Sequence, residues 1–302
     1  MNKFLKGFLA MIGAVIAWSS LEVTGSYIFA EGAGTVTLLS IRFLFATLLF
    51  GGVILFQKYK TGENLFLIDK IDIPRFIGNG VFLALHLLVY WFAWELLDPN
   101  LAVIYGIFYM YPLALVLVAV FHYGEKFSNN RKIAVALGTI GALFAVEFLP
   151  SFSTEGLNMT GILLDVAAVI TWVGYLMIGQ GIVKKYKALT IVFYDFLQVF
   201  VYVSLFQLPT VTIAELNPHN LLAILYLAVV ASFIAYLCYW TGVKNIGASN
   251  SGMIELATPI IGVTLAYFFL STDPSLYQMG GLLMLVGSTY LIYREKEVVY
   301  DQ

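Results

Sequence analysis

Apolar residues come in long, nearly unbroken runs along this chain instead of alternating with polar ones at a strand or surface-helix period. Ten stretches, roughly 7–29, 35–56, 75–97, 101–121, 133–149, 157–183, 189–208, 221–243, 248–270 and 277–293, are bounded by charged, Pro or Gly clusters. A helix needs about 20 apolar residues to cross a bilayer. The pattern predicts an all-α integral membrane protein of ten transmembrane helices joined by short loops. Pro74, just ahead of the third stretch, is a helix-start signal.

Composition removes the soluble alternatives. Of 302 residues, 61% are apolar and 11% charged, with a mean hydropathy of +0.89; soluble domains carry about a quarter charged residues. No stretch is left for a separate soluble domain. The single cysteine, Cys238, excludes a disulfide framework and any multi-cysteine metal site.

Charge then orients the helices. With the N-terminus placed in the cytoplasm, every Lys and Arg except Arg42 falls on the cytoplasmic side. These are Lys3 and Lys6, then Lys58, Lys60, Lys70 and Arg75, then Lys126, Arg131 and Lys132. Lys184, Lys185 and Lys187 follow, then Lys244, and finally Arg294 and Lys296. The opposite loops hold Glu31, Asp98, Glu147, Glu155, Glu215 and Asp273 and neither Lys nor Arg. The positive-inside rule predicts a multi-pass protein of the cell membrane with both termini cytoplasmic. The first apolar stretch is too long for a cleaved signal peptide and contains Glu22.

Two halves, 1–150 and 151–302, overlay as a five-helix repeat. Gly7 and Trp18 have the same spacing as Gly161 and Trp172. Thr37 with Arg42, Phe43 and Leu44 matches Thr190 with Asp195, Phe196 and Leu197. Pro112 matches Pro259, and Ala134 with Gly141 matches Gly280 with Gly287. Five is odd, so the second half enters the membrane from the other side, and the repeat is inverted, as in many secondary transporters. Gly141, Gly280 and Gly287 suit close helix packing.

These residues carry a resemblance. Ten spans, Trp18 with Ser19 and Ser20, Arg42 with Phe43, Pro112 followed by Gly124 and Glu125, and Trp172 with Tyr175 resemble the EamA-type members of the drug/metabolite transporter superfamily. The similarity runs from about residue 7 to 294. The spacing of Gly280 and Gly287 also resembles the dimerising last helix of small multidrug-resistance transporters. Ser271, Thr272 and Asp273 stand where a second Gly-Glu pair would mirror Gly124 and Glu125, and Asp195 stands opposite Arg42. The resemblance implies export of amino acids or other small metabolites, often driven by the proton gradient.

Ionisable groups inside a span cost about 2.5–3.5 kcal/mol each on insertion scales, so they are the candidate functional residues. Glu22 and Arg42 lie at similar depth in the outer part of spans one and two. They are either a buried ion pair that locks two helices or a cavity lining, with Arg42 receiving a carboxylate and Glu22 an amine or a proton. Glu255, one turn before the helix-kinking Pro259, is the first proton-coupling candidate, followed by Glu22, Asp165 and Asp195. Pro112 predicts the matching kink in the first half. His86 reads as an interhelical hydrogen-bond donor. Tyr90 and Trp94 read as interfacial aromatic belt; Trp18, Trp172, Tyr175 and Tyr109, with Ser19, read as substrate-binding. Asn158 opens a glycosylation sequon that chance alone explains.

No catalytic constellation or phosphate-binding loop accompanies these groups, and an internally repeated monomer has no need of a channel's symmetric ring. One intramembrane arginine is too few for a polyanionic substrate. Together with what the resemblance implies, Arg42 predicts a non-enzymatic secondary transporter exporting amino acids or related zwitterions by alternating access with proton antiport. The alternative is an exporter of cationic or apolar drug-like compounds. Its partners are a small-molecule substrate and the lipid bilayer, with no cofactor, metal or nucleic acid, as a monomer or homodimer.

Overall fold

The computed structural model describes residues 2–97, 101–123, 128–151, 158–207, 216–270 and 273–294, and among them helix is the only regular structure. Gly124, Glu125, Ser271, Thr272, Asp98, Lys126, Glu155, Glu215 and Lys296 lie outside the described residues, as do the side chains of Glu22 and His122. In chain order the helices are α1 (Lys3–Trp18), α2 (Leu21–Ala30), α3 (Thr35–Thr61), α4 (Ile73–Leu97) and α5 (Leu101–Phe108). Next come α6 (Tyr111–Tyr123), α7 (Asn129–Ala145), α8 (Phe148–Ser151), α9 (Met159–Val183) and α10 (Ala188–Gln207). The last are α11 (Pro218–Leu227), α12 (Ala235–Ile246), α13 (Ala248–Glu255), α14 (Thr258–Leu270) and α15 (Leu276–Arg294).

Helix starts follow local capping. Asn2, Ser128, Asn158 and Asn217 each accept a backbone N–H of the first turn of α1, α7, α9 and α11, and Pro218 occupies the first position of α11. Asn158, the residue of the sequon, is thus a helix cap. Gly62 ends α3 in the left-handed region at φ 75°, which glycine enters without a Cβ clash.

Helix interruptions follow equally local causes. A proline lacks an N–H and its ring collides with the carbonyl four residues earlier. Counting back from Pro112 gives Phe108, where α5 ends; counting back from Pro259 gives Glu255, where α13 ends. Both breaks leave a piece of 8 residues followed by one of 13. The carbonyl released at Glu255 is taken by the Thr258 hydroxyl at 2.6 Å. The first apolar stretch breaks without a proline. Ser19 Oγ donates back to the Val15 carbonyl at 2.7 Å and Ser20 Oγ to Ala17 at 3.0 Å, and such back-bonding bends helices. Between α11 and α12 the chain widens into a π-helical turn, Ala228–Ile234.

Five stretches among the described residues are long and apolar enough to cross a bilayer: Thr35–Thr61, Lys70–Leu97, Met159–Val183, Ala188–Leu205 and Pro218–Ile246. The other predicted spans correspond to the broken pairs α1 with α2, α5 with α6 and α13 with α14, and to α7 and α15. Large apolar side chains such as Leu48, Phe56, Ile170, Leu222 and Leu283 point outward and exposed, while the interior holds Trp91, Trp94, Trp240, Tyr111, Tyr175 and Arg42. That is the surface a lipid solvent selects.

Helices of the first half pack on helices of the second. Gly7 of α1 meets Ile246 of α12 and Gly13 meets Cys238, while His86 of α4 bonds Ala168 of α9 and Gly161 of α9 meets Leu97 of α4. Phe43 of α3 packs on Phe196 of α10, and Gly51 of α3 meets Phe193 of α10. Gly141 of α7 faces Gly281 of α15, and Ser288 donates to the Ala134 carbonyl at 2.7 Å. In each pair the numbering falls on one helix as it rises on the other, so the partners are antiparallel.

The last pair corrects one expectation. Gly141 is a close-packing glycine, but a Cβ on Gly280 or Gly287 would meet nothing within 4 Å among the described residues of this chain. The face of α15 turned to α7 is displaced by one residue and carries Gly281 and Ser288.

Candidate functional site

A cavity of about 80 Å³ lies where the α1–α2 break, the α5–α6 break and the α13–α14 break converge with α3, α4, α9 and α12. That is room for about five waters. Trp18, Tyr90, Trp91, Tyr105, Phe108, Tyr109, Trp172 and Tyr236 make its aromatic walls; Arg42, Glu255, His86 and Thr258 are the chemically distinct groups among them. Trp18, Phe108, Tyr109, Glu255 and Thr258 line it from positions at the three helix breaks, and Arg42, His86 and Trp172 from the unbroken α3, α4 and α9.

Arg42, 1% exposed, projects from α3. Its Nε donates to Ser232 Oγ at 2.8 Å and its Nη2 to the Ala231 carbonyl at 3.3 Å. Nη1 has no hydrogen-bond partner among the described residues. The indole of Trp18 donates to the same Ala231 carbonyl at 2.9 Å. The guanidinium also lies over the Trp91 ring at 5.9 Å, a cation–π arrangement. Glu255, 6% exposed, ends α13, and one of its oxygens accepts the Tyr111 hydroxyl at 2.5 Å. His86 Nδ1 donates to the Ala168 carbonyl at 3.0 Å, which leaves Nε2 as the bare acceptor in the neutral ring. The Trp172 indole N–H has no partner among the described residues.

The cavity therefore gathers Trp18, Arg42, Tyr109, Trp172 and Glu255 from the sequence candidates. Three others sit elsewhere. Ser19 is buried outside the wall, its hydroxyl turned to Val15 and, at 3.4 Å, to the Thr258 carbonyl, so it bends α1 and ties one break to another. Tyr175 and Asp195 form a separate buried cluster on the Lys-rich side of the cavity. Asp195 accepts Asn79 Nδ2 at 2.9 Å on both oxygens and the Tyr175 hydroxyl at 3.0 Å, and Trp240 donates to that hydroxyl at 2.8 Å. Tyr175 thus serves Asp195, not the cavity. Glu22 belongs to α2, and its side chain lies outside the described residues. Asp165 is fully buried in α9 with neither oxygen partnered among the described residues.

Several residues of the site escaped the sequence reading. Tyr90 and Trp94 are buried, 7% and 0% exposed, and not on an outer belt; Tyr90 lines the cavity and Trp94 packs behind it against Tyr90 and Tyr105. The belt reading counted depth and could not see which side of α4 faces in. Ser232 carries a weak signal as a lone hydroxyl in an apolar run. The π-helical turn itself has none in the pattern.

At the ends of the molecule, two polar contacts join the halves. On the Lys-rich end, Lys185 Nζ pairs with Asp72 at 2.6 Å and with Asp69, the Tyr186 hydroxyl donates to Asp72 at 2.7 Å, and Lys187 pairs with Glu63 at 2.5 Å. At the opposite end, Asn217 Nδ2 donates to the Glu31 carboxylate and Asn220 Nδ2 to its carbonyl, both at 3.2 Å. The hydrogen bonds to Asp69 and Asp72 hold the Lys185 ammonium above the usual lysine range. A raised lysine keeps its contribution at every pH below its ordinary value and loses it only as pH rises past the raised one. This contact does not titrate through Lys185 near neutrality.

Comparison with known proteins agrees with this architecture. The sequence pattern of the EamA-like transporter family matches twice, over residues 5–146 and 159–294. An uncharacterized transporter of Bacillus subtilis (strain 168), YxxF, is 21% identical over 93% of this chain and 88% of its own length. An uncharacterized transporter of Archaeoglobus fulgidus is 20% identical over 97% of this chain and 100% of its own. A solved crystal structure superposes with a TM-score of 0.79 at 18% identity, covering 95% of this chain and 98% of that one, which shows a shared fold. With matches in both halves and relatives that align end to end, the chain belongs to the EamA-like transporter family and is a multi-pass membrane transporter.

Proposed function

We propose that this transporter exports amino acids or related small zwitterions by alternating access, coupled to inward movement of protons across the cell membrane, with both termini in the cytoplasm. One observation carries the reading: a buried arginine with a donor that is unpartnered among the described residues and a buried glutamate share one aromatic-walled cavity. A guanidinium fork recognises a carboxylate, Glu255 recognises an ammonium or a proton, and aromatic walls accept an apolar body or a cation. The drug-cation alternative leaves the buried Arg42 donor without a use, since its described partners are one hydroxyl, one carbonyl and aromatic faces.

The helix pairing supports a ten-span, five-plus-five inverted architecture for this motion. Under the repeat, α3 corresponds to α10 and α7 to α15, and these counterparts lie antiparallel. The two end contacts are also counterparts: each joins the turn after the first span of one half to the start of the third span of the other. Opening the cytoplasmic side requires the Lys185 cluster to part; opening the outer side requires the Glu31 contact to part.

Two measurements test this reading. In proteoliposomes with an imposed pH gradient, labelled amino acids are expected to show saturable, gradient-dependent flux that Glu255→Gln removes while gradient-free exchange persists. Flux indifferent to the gradient would remove the coupling, and flux of cationic dyes alone would overturn the substrate class. Separately, Lys185→Ala is expected to shift the conformers toward cytoplasmic opening several-fold, in line with a small partly exposed ion-pair network. Labelling of a cysteine placed in the cavity, from the cytoplasmic side and in a Cys238→Ser background, reads the shift. Lys185→Arg should restore the wild-type rate, and unchanged labelling in Lys185→Ala would sink the latch.

A further inference from the structure

We propose that the π-helical turn Ala228–Ile234, acting through Ser232, is a positioning device that presents one edge of the Arg42 guanidinium to a substrate carboxylate. The inference rests on the carboxylate-binding role of Arg42. It adds Ser232 as a specificity-determining residue and fixes which edge of the guanidinium is available.

Arginine has five N–H donors on a rigid plane, and a carboxylate can dock on two edges. One edge presents Nε with Nη2, the other Nη1 with Nη2. Here the protein occupies the first edge: Nε is on Ser232 Oγ and Nη2 on the Ala231 carbonyl. Among the described residues Nη1, on the second edge, has no hydrogen-bond partner, on a side chain that lines the cavity and is 1% exposed. An unpartnered donor on a buried cation is costly to leave so, and a carboxylate arriving at that edge completes it bidentately.

The π turn makes this possible. In a regular α-helix each interior carbonyl is taken by the N–H four residues on, whereas a π turn interrupts that ladder and is common at functional sites. The Ala231 carbonyl accepts two side-chain donors, Arg42 Nη2 and Trp18 Nε1. Ser232 is fully buried and its hydroxyl accepts the Arg42 N–H. Trp18 ends α1 at the serine break. The same carbonyl therefore holds the arginine and the end of the first helix, so a movement of the α1–α2 break is felt directly at the carboxylate edge.

The test compares Ser232→Ala, Ser232→Thr and Arg42→Ala in proteoliposomes, using a transported amino acid and its decarboxylated amine. Ser232→Ala is expected to raise KM for the amino acid about tenfold, leave maximal flux within twofold and leave the amine unaffected. Ser232→Thr, which keeps a hydroxyl, should return KM to near the wild-type value. A purely structural role would lower maximal flux for both compounds together, and thermal unfolding in detergent would show it; that outcome overturns the proposal. If Arg42→Ala raises KM while Ser232→Ala does not, the positioning role fails alone. If neither variant distinguishes the amino acid from its amine, the carboxylate reading fails first.

Discussion

Arg42→Ala is expected to abolish measurable transport of carboxylated substrates while the protein still inserts and folds. Arg42 is 1% exposed, and among the described residues its partners are one hydroxyl, one carbonyl and aromatic faces. Truncating one partner of a buried, hydrogen-bonded charge pair costs about 2–5 kcal/mol, which corresponds to a KM increase of roughly 30-fold to several thousand-fold. The folded state does not suffer equally, because removing the arginine also removes a desolvated charge. Arg42→Lys should fail nearly as badly. An ammonium lacks the planar fork and cannot reach Ser232 and a carboxylate at once. Initial rates in proteoliposomes at several substrate concentrations decide the matter. Saturable amino-acid flux with an unchanged KM in Arg42→Ala would rule out the carboxylate site, whereas continued uptake of a carboxyl-free compound is expected.

How far this architecture was legible depends on whether each feature has a local cause. The broken helices around Pro112 and Pro259 were legible because a proline dictates where the ladder fails, and the breaks fall where the ring meets the carbonyl four residues back. The break at Ser19 was not, since serine bends a helix only when its hydroxyl turns back onto the backbone. Arg42, Glu255, Trp18, Trp172 and Tyr109, which line the cavity, stand out in the sequence because a charge or an aromatic at depth is conspicuous in an apolar run. Tyr175 and Ser19 were misplaced for a rotational reason: they sit at the right depth, but their hydroxyls turn to Asp195 and to Val15. Tyr90 and Trp94 failed in the opposite sense. Depth follows from counting along the chain, whereas rotation about a helix axis is set by neighbours, and in a uniformly apolar helix no amphipathic stripe reveals them.

The glycines of α15 give the sharpest consequence of that rotational ambiguity, and the largest expected effect on stability. A Cβ added at Gly281 would lie 2.5 Å from both the Ala145 nitrogen and the Gly141 carbonyl oxygen and 3.0 Å from the Phe144 carbonyl carbon. All three are backbone atoms of α7, which no rotamer change can move. Gly281→Ala must therefore push α15 away from α7 and strain the Ser288 bond to Ala134, at a cost of about 3 kcal/mol, the upper part of the overpacking range. Gly280→Ala and Gly287→Ala place the new methyl where no described residue lies within 4 Å. They replace the poorest ordinary helix former with the best and should be neutral or stabilising by up to about 1 kcal/mol. Thermal unfolding in detergent of the three single variants is the direct comparison, with Gly281→Ala melting well below wild type and the other two at or above it. Equal melting of all three would mean that α7 and α15 do not meet at this register. A loss confined to Gly280→Ala and Gly287→Ala would instead mean that the outward face of α15 is packed by something beyond one protomer, and the oligomeric state of those variants would then identify a second copy of this chain.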